Sequence, residues 1–315
     1  MDDLVHTLPQ GLLSKLRKIY PGSYQHVLRT FLKKKTPSFR ANFLKTDLSD
    51  LRGRLRRARI SFRELTFPEG AFLLKSHLHQ FQNTELYQKG LVCVQNVSKM
   101  LPPIILEPQA KEKVFGLCAS LGAQITQIAS LAQGAEVVAF ENSRTRYYKL
   151  LTSLNRQGVK TVKTYLYEGI WVRKKFPEYF DKVLIDAPCS AEAQFYVHNP
   201  WSFKYWSTTK VQEMVNTQKE LMRACFFALK QGGVLVYAAS TFSPEENEGI
   251  IDWFINKFKE KVKLLPIRSP LDNVQDGLVK WQDKKFSSDL ALTKRVIPNE
   301  YMEGLFVAKL KKIAY

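Results

Sequence analysis

From about residue 110 onward, short apolar segments alternate with segments of helical periodicity. The apolar segments include EKVFGLCAS, AEVVAFEN, KTVKTYLY, FDKVLIDAP and VLVYAAS, and GLFVAKLKK is expected to form the last strand. Between them lie helical patterns, of which RTRYYKLLTSLNRQG ends at a glycine and the longest runs from about Thr208 to Lys230. Strands that are apolar throughout and alternate with helices indicate a parallel sheet covered on both faces. The sequence therefore predicts an α/β fold with a doubly wound, Rossmann-like sheet, whose ligands bind beyond the carboxyl ends of the strands.

The N-terminal region differs from the rest of the chain in charge. The chain has 48 Lys and Arg against 29 Asp and Glu, a formal net charge of +19, which favours a polyanion such as nucleic acid as partner. The first 60 residues alone hold 14 basic against 4 acidic side chains, with phenylalanines among them. A solvated basic face is the alternative interpretation. We expect residues 1–105 to form a smaller, basic α+β domain that binds RNA, and residues 106–315 to form the Rossmann-like domain.

The residues expected to contact RNA lie in two basic segments of this region. They are Lys33, Lys34, Lys35, Arg40, Arg54, Arg56, Arg57 and Arg59.

Several function classes are disfavoured by what the sequence lacks. No apolar run approaches the ~20 residues that span a bilayer, so we expect no membrane association. The start MDDLVHTLPQ carries two acids and no arginine, which argues against a presequence and favours a cytoplasmic protein. The cysteines show neither metal spacing nor a disulfide pattern, so we expect no metal site. We also expect the chain to be a monomer. Residues 267–300 are polar and irregular, and we expect a long surface excursion there.

Side chains suited to ligand binding follow the predicted strands. Glu141 ends the second strand, where an acid is well placed to accept hydrogen bonds from ribose hydroxyls, and Glu168 lies near the third. Asp186 leaves the fourth strand, and Pro188 then fixes the turn that presents Cys189. A solvent-exposed glutamate and a buried structural thiol are the alternatives for Glu141 and Cys189.

The segment SPEENE after the fifth strand has a purely local explanation. Ser243 as N-cap, Pro244 at the first helical position and Glu246 at the third would form a capping box. We therefore expect a helix to begin there.

Together these motifs resemble the Sun-domain family of RNA cytosine-C5 methyltransferases, the RsmB/NSUN type, which use S-adenosylmethionine. FRANFLKT resembles the family's R-x-N-x-L-K segment, and GLVCVQNVSKMLPP its G-x-x-x-x-Q-x-x-S-S-M-x-P stretch. FDKVLIDAPCSAEA matches D-A-P-C-S-G-x-G through Ser190, and GGVLVYAASTFSPEENEG matches G-G-x-L-V-Y-S-T-C-S-x-x-x-E-E-N-E except at the cysteine and its neighbours. EGLFVAKLKK resembles the closing G-F-F-x-A-x-L strand. The resemblance covers nearly the whole chain and implies a methyltransferase domain with an RNA substrate, expected to be ribosomal RNA.

The resemblance also implies where S-adenosylmethionine would bind. Where the family has D-L-C-A-A-P-G-G-K-T this chain has GLCASLGAQI, so Ala123 replaces the second glycine and Gln124 the lysine. Because a glycine allows close backbone approach and a lysine binds a carboxylate, we expect cofactor affinity to be reduced or lost. The implied cofactor-binding residues are Cys118, Ala119, Ser120, Leu121, Gly122, Ala123, Gln124, Glu141, Glu168 and Asp186.

The catalytic positions implied by the resemblance are Ser240 and Cys189. In the family a thiolate adds to carbon 6 of cytosine to make carbon 5 nucleophilic, and a second cysteine assists product release. By alignment the nucleophile position is Ser240, where the cysteine is lost, and the releasing position is Cys189. A serine hydroxyl needs a neighbouring general base, and neither histidine nor lysine lies beside Ser240 in the sequence. We expect the usual mechanism to fail and the Ser240 hydroxyl to form a hydrogen bond as a strand-end residue.

Three functions remain open on this basis. The first is an RNA methyltransferase in which Cys189 acts as nucleophile. The second is a non-catalytic RNA-binding or ribosome-assembly factor that retains the methyltransferase fold. A DNA-modifying enzyme is disfavoured because the N-terminal segments resemble the RNA family. Binding of S-adenosylmethionine separates the enzyme hypotheses from the non-catalytic one.

Overall fold

The computed structural model describes residues 3–117 and 122–313. The helices are α1 (Gln10–Ile19), α2 (Tyr24–Arg29), α3 (Leu48–Arg57), α4 (Leu78–Gln82), α5 (Glu85–Gln88), α6 (Val97–Leu106), α7 (Ala123–Leu131), α8 (Arg144–Gln157), α9 (Val172–Lys175), α10 (Thr208–Ala228) and α11 (Glu248–Phe258). The strands are β1 (Ser38–Ala41), β2 (Phe62–Glu64), β3 (Ala71–Leu74), β4 (Val92–Val94), β5 (Lys113–Leu117), β6 (Glu136–Phe140), β7 (Val162–Tyr165), β8 (Phe180–Asp186), β9 (Leu229–Ala239), β10 (Val262–Leu265), β11 (Val274–Asp276), β12 (Lys280–Trp281), β13 (Lys284–Lys285), β14 (Lys294–Val296) and β15 (Leu305–Lys312).

A mixed central sheet organises the larger part of the chain. Its strands run in the order β11-β14-β15-β9-β8-β5-β6-β7, and β10 pairs with β15. Strands β5 to β9 are parallel, whereas β10, β11, β14 and β15 pair antiparallel. The carboxyl ends of the parallel strands therefore lie along one edge. The predicted Rossmann-like α/β fold is confirmed.

Adjacent residues of the parallel strands face opposite layers of the core. Phe115 of β5 packs in the cluster that contains α10 and α11, whereas its neighbour Val114 packs in the cluster of α7 and α8. Val183 and Leu184 of β8 divide in the same way. Because both faces are buried by helices, the strands are apolar throughout, which is the pattern that predicted them. Among the described residues no helix combines the length and apolar character that crossing a bilayer requires.

The predicted surface excursion at 267–300 is wrong in part. Strands β11 and β14 lie within it and extend the central sheet, and Trp281 and Leu290 are buried. Arg295 of β14 is also buried, and its guanidinium donates to both carboxylate oxygens of Glu248, at 2.7 and 2.5 Å. Arg295 counts as polar in the sequence. It can be buried because a distant partner neutralises its charge, which hydropathy alone does not reveal.

The smaller domain is an antiparallel sheet with a helix packed on it. Its strand order is β2-β3-β1-β4, and Leu51 and Leu55 of α3 pack against Phe39 and Phe72. Helices α1 and α2 do not belong to this sheet, since they share a hydrophobic cluster with Phe242 and other residues of the larger domain. Residues 3–32 therefore pack with the larger domain, although the predicted division at 105/106 assigns them to the N-terminal region.

The segment FRANFLKT joins the two domains. Arg40 is buried, and its guanidinium donates to the side chains of Gln95 and Thr126 at 2.8 and 2.7 Å. Asn42 donates to the carbonyls of Gly90 and Gln157, both at 2.8 Å. The prediction that Arg40 contacts RNA is therefore wrong, because its donors are committed to protein atoms that connect β1 to α7.

Prediction for the buried ion pair. Replacing Arg295 by methionine leaves the Glu248 carboxylate buried without its cation, so Arg295→Met should lower the free energy of unfolding by about 3–5 kcal/mol. The double variant Arg295→Met/Glu248→Leu should recover part of that loss. Urea denaturation of both variants measures the effect. The control is Arg63→Met, which removes the exposed ion pair with Glu300 and should change stability little. Equal losses in Arg295→Met and the control would contradict the account.

Candidate active site

A cavity of about 490 Å³ opens at the carboxyl ends of the parallel strands. Five of the residues singled out in the sequence line it, and they come from the ends of β6, β7, β8 and β9: Glu141, Glu168, Asp186, Cys189 and Ser240. A parallel sheet brings the ends of distant strands together, which is why residues a hundred positions apart share one wall. Cys118, Ala119, Ser120 and Leu121, which were also expected to bind the cofactor, lie outside the described residues.

One end of the cavity combines a buried carboxylate with apolar walls. Glu141 is 2% exposed, and its Oε1 accepts hydrogen bonds from the backbone N–H of Ser143 at 2.9 Å and from Nη2 of Arg146 at 2.7 Å. The rings of Phe140 and Tyr167 pack edge to face beside it, with their centroids 5.5 Å apart. A fixed acid beside aromatic and aliphatic walls suits a nucleoside, since the acid can accept from ribose hydroxyls while the walls contact the base.

The other end of the cavity holds an ion pair that the sequence did not reveal. Nζ of Lys99, on α6, lies 2.6 Å from Oδ1 of Asp186. Burial lowers the Lys99 pKa, but attraction to Asp186 and other nearby acidic groups outweighs it, so the pKa is raised and the ammonium stays charged. Lys99 stands where the family pattern has its second serine, and this departure is the signal that could have identified it. The side chain of Gln124, at the family's lysine position, is buried and donates to the Lys99 carbonyl at 3.2 Å.

The start of α7 keeps one feature of the family's cofactor loop. Gly122 precedes Ala123, the first residue of the helix, and has a φ of +83°. A Cβ at Gly122 would lie 2.9 Å from Cδ1 of Leu150, so both the backbone conformation and the packing require glycine. Neither Ala123 nor Gln124 lies on the cavity wall as the structure describes it.

The thiol of Cys189 is held in its neutral form. Burial and the nearby carboxylate of Glu246 raise the pKa of Cys189 to about 12, and the ammonium of Lys99 opposes this only partly. Since the thiolate is the attacking form, a thiol with this pKa is a weak nucleophile at neutral pH.

The Ser240 hydroxyl is buried at the cavity wall without a hydrogen-bond partner among the described residues. Ser240 follows the last residue of β9 directly, and the hydrogen bond expected of its hydroxyl stays a prediction. A serine without an adjacent base has no route to an alkoxide. The position of the family's nucleophile thus carries a buried hydroxyl in place of a thiol.

Two buried carboxylates connect the loops that follow β8 and β9. Oε2 of Glu192 accepts from Thr241 Oγ1 and from the backbone N–H of Ser243, both at 2.9 Å. Glu246 accepts from the backbone N–H of Ser190 at 2.9 Å, and its Oε1 lies 3.1 Å from the same Thr241 hydroxyl. That hydroxyl has one hydrogen for two carboxyl groups, so the arrangement favours a proton on one of them. Burial, then repulsion from Glu192, raises the pKa of Glu246 to about 7.

This network also explains why the predicted capping box is wrong. Helix α11 begins at Glu248, after Asn247, and the Ser243 hydroxyl donates to Oε1 of Glu192 at 2.6 Å instead of capping a helix. Residue 191 of the same loop is alanine where the family pattern has glycine, and it keeps a φ of +56°. The loop conformation is thus retained at a cost of about 1–2 kcal/mol, which the hydrogen bonds of Glu192 offset.

The predicted RNA contacts in the segment after α2 differ in exposure. Lys33 and Lys34 are exposed, and Nζ of Lys34 lies 5.7 Å from the centroid of the Tyr196 ring. Lys35 is half-buried, its Nζ donates to the carbonyl of Asn299 at 2.8 Å, and burial lowers its pKa to about 8.

The second group lies on and directly after α3. Arg54, Arg56, Arg57 and Arg59 are all exposed. Arg54 pairs with Asp50 at 2.8 Å, which reduces its charge toward a partner. RNA contact stays a prediction for these residues.

The fold and the site at the carboxyl edge are those of a Rossmann-like methyltransferase. A sequence model described as 16S rRNA methyltransferase RsmB/F matches residues 103–311, and the chain belongs to this family. The resemblance stated from the sequence is confirmed, and the family implies use of S-adenosylmethionine.

Curated relatives agree with this assignment. The chain is 30% identical over 280 residues to a tRNA (cytosine(49)-C(5))-methyltransferase of Pyrococcus abyssi, covering 88% of each protein. It is 30% identical over 329 residues to the ribosomal RNA small subunit methyltransferase F of Escherichia coli, covering 98% of this chain but 64% of that protein. The chain thus spans less than two thirds of the second relative.

Solved structures show the same fold. A methyltransferase homologue from Pyrococcus horikoshii superposes with a TM-score of 0.82 at 24% identity, covering 97% of this chain and all of that one. The NSun6 protein of Pyrococcus horikoshii, solved with SFG, gives a TM-score of 0.80 at 18% identity, covering 98% and 99%.

Prediction for Glu246. Its folded-state pKa of about 7 lies above the ordinary 4.5, so the stabilisation from the protonated form is complete below pH ~4.5 and is lost as the pH rises through 7. The free energy of unfolding should therefore fall by up to about 3 kcal/mol more in the wild type than in Glu246→Gln between pH 5 and pH 8. Urea denaturation at both pH values measures this difference. The control variant Glu245→Gln keeps Glu246, so its free energy of unfolding should fall between pH 5 and pH 8 as that of the wild type does. Parallel pH profiles of wild type and Glu246→Gln would refute the assignment.

Proposed function

We propose that this chain binds RNA and holds S-adenosylmethionine in the cavity, and that the family's methyl transfer by thiolate addition does not operate in it. The proposal rests on the side chains at the two catalytic positions. Ser240 offers a buried hydroxyl with no described partner, and the only cavity thiol among the described residues, Cys189, is held neutral. Binding of RNA and cofactor does not need a thiolate, whereas the covalent step of methyl transfer does, so the chain can keep the first without the second.

The RNA part of the proposal rests on charge and on the relatives. The net charge of +19 and the exposed arginines of α3 favour a polyanion over a neutral ligand. The two named relatives act on tRNA and on small-subunit ribosomal RNA. We propose ribosomal RNA as the substrate class, as the sequence first suggested, with the chain acting in ribosome assembly.

The cofactor part rests on the donor set of the cavity. Glu141 would accept hydrogen bonds from the ribose hydroxyls, and the walls formed by Phe140, Tyr167 and Leu221 would contact the adenine. The acids Glu168 and Asp186 would face the cationic end of the ligand. The bound cofactor supplies an electrophilic methyl group. Because Gln124 is turned away to the Lys99 carbonyl, we expect weaker binding than in family members that keep the loop lysine.

Methyl transfer with Cys189 as the nucleophile is the second candidate. It is favoured by the charged Lys99 beside the cavity, since an ammonium stabilises a thiolate. Against it, burial and Glu246 dominate and raise the pKa of the thiol. The chemistry of the site therefore supports a neutral Cys189.

Prediction for the lost nucleophile. Restoring the thiol in Ser240→Cys, with Cys189→Ala to prevent release, should trap RNA covalently, because the thioether to carbon 6 then stays unresolved. The measurement is a denaturing gel of the double variant with small-subunit ribosomal RNA and S-adenosylmethionine, read as a shifted band that protease removes.

The matched control is Ser240→Ala/Cys189→Ala, which has no thiol at either position and should give no shifted band. Absence of the band in the Ser240→Cys variant, with RNA and cofactor binding intact, would mean that substrate docking has decayed along with the nucleophile. The claim that only the attacking group is missing would then be wrong.

A further inference from the structure

The loop that follows the Cys189 segment exposes two aromatic rings to solvent. Trp201 is 67% exposed and Tyr205 is 71% exposed. Nζ of Lys204 lies 3.9 Å from the centroid of the Trp201 ring and 5.4 Å from that of Tyr205. Exposed rings of this size leave apolar surface in water, and here they are grouped around one cation.

The same loop is anchored rigidly beneath these rings. Phe203 and Trp206 point inward and pack against the cluster formed with α1 and α2. The indole N–H of Trp206 donates to Oε1 of Glu192 at 2.8 Å, and the Ser202 hydroxyl donates to the Asn199 carbonyl at 2.7 Å. Inward and outward aromatics thus alternate along an anchored loop, so binding on the exposed rings does not have to order the loop backbone.

The loop that carries the exposed rings begins at the cavity wall. Gln194 lines the cavity wall, and Trp201 follows it closely enough in the chain to lie within ~25 Å of that wall. The exposed Lys34 lies over Tyr196 at the start of the same loop. Cations and exposed rings therefore occur together on the loop that continues from the cavity wall at Gln194.

We propose that Trp201, Lys204 and Tyr205 form a stacking platform that binds unpaired nucleotides of the RNA next to the residue that enters the cavity. The proposal rests on the RNA-binding function proposed above. Every base has a flat aromatic face, so rings of this kind stack on unpaired bases of any sequence, while the lysine attracts the phosphate. The lysine between the rings and the chain's positive charge favour RNA over a protein as the occupant.

The test compares unpaired with paired RNA. Fluorescence anisotropy with labelled oligocytidylate should show Trp201→Ala/Tyr205→Ala binding about 5-fold to 100-fold more weakly than the wild type, the usual effect of lost stacking. Binding of a fully paired hairpin should change little, because its bases are stacked on each other. Trp201→Phe/Tyr205→Phe keeps the rings and should retain most of the affinity, and the unchanged hairpin binding of Trp201→Ala/Tyr205→Ala shows that the alanine variant is folded. Lys204→Ala should flatten the log affinity versus log salt plot by ~0.7, whereas the ring variants should keep its slope.

The matched control removes an exposed ring and a lysine elsewhere. Phe227 is 44% exposed and lines a separate surface pocket together with Lys257, and this pocket shares no residue with the cavity. Phe227→Ala/Lys257→Ala should therefore preserve the oligocytidylate affinity. Unchanged binding in Trp201→Ala/Tyr205→Ala, or equal losses for paired and unpaired RNA, would overturn the platform alone and would leave RNA binding in place. A wild type that binds neither RNA would overturn both the platform and the proposed function.

Discussion

The buried carboxylate of Glu192 fixes the relation between the two loops that carry the candidate catalytic positions. It accepts hydrogen bonds from Thr241 and Ser243 in the loop after β9, while its own backbone belongs to the loop after β8. A buried charge without hydrogen-bond donors costs several kcal/mol, so loss of any of these donors would destabilise the folded loops. Through Trp206 the same carboxylate anchors the loop that presents the exposed rings. Together with Glu246, which bonds Ser190 and Thr241, Glu192 holds the loop of Cys189 against the loop that follows Ser240 and connects both to the proposed RNA platform.

Charge around the cavity favours binding over covalent attack. Glu192 and Glu246 share the Thr241 hydroxyl, and the raised pKa values of Glu246 and Cys189 favour the protonated form of both groups. Lys99 neutralises Asp186 on the cavity wall. Under the proposed function this site holds a nucleoside and an RNA base without a thiolate. The fold, the cavity and the loop geometry depend on burial and hydrogen bonding, so they do not require the sulfur that the family pattern has at position 240.

Much of this architecture could be predicted from sequence because its determinants are local. Apolar runs separated by helical patterns predict the parallel sheet, and side chains directly after strands, such as Glu141 and Asp186, necessarily meet at one edge. Features that depend on distant partners could not be read in the same way. Lys99 lies on α6 and pairs with Asp186 at the end of β8, and Arg295, within the predicted surface excursion, pairs with the distant Glu248.

The wrong predictions for the capping box and for Arg40 have a common cause. Ser243 and Glu246 have capping-box spacing, but tertiary partners bind both side chains first, so the helix begins later in the chain. Arg40 has the charge expected of an RNA contact, but Gln95 and Thr126 accept its hydrogen bonds at the domain interface. Local patterns predict what a side chain can do, and the fold decides which partner it meets.

The central claim is that the chain binds RNA and cofactor but cannot carry out the transfer for lack of a nucleophile. The most direct test measures methyl transfer from radiolabelled S-adenosylmethionine to small-subunit ribosomal RNA by the wild type, beside Ser240→Ala and Cys189→Ala, under conditions in which all three bind both ligands. The account predicts no incorporation above background in any of them. Robust incorporation by the wild type that disappears in Ser240→Ala, or in Cys189→Ala, would contradict it and identify the attacking group.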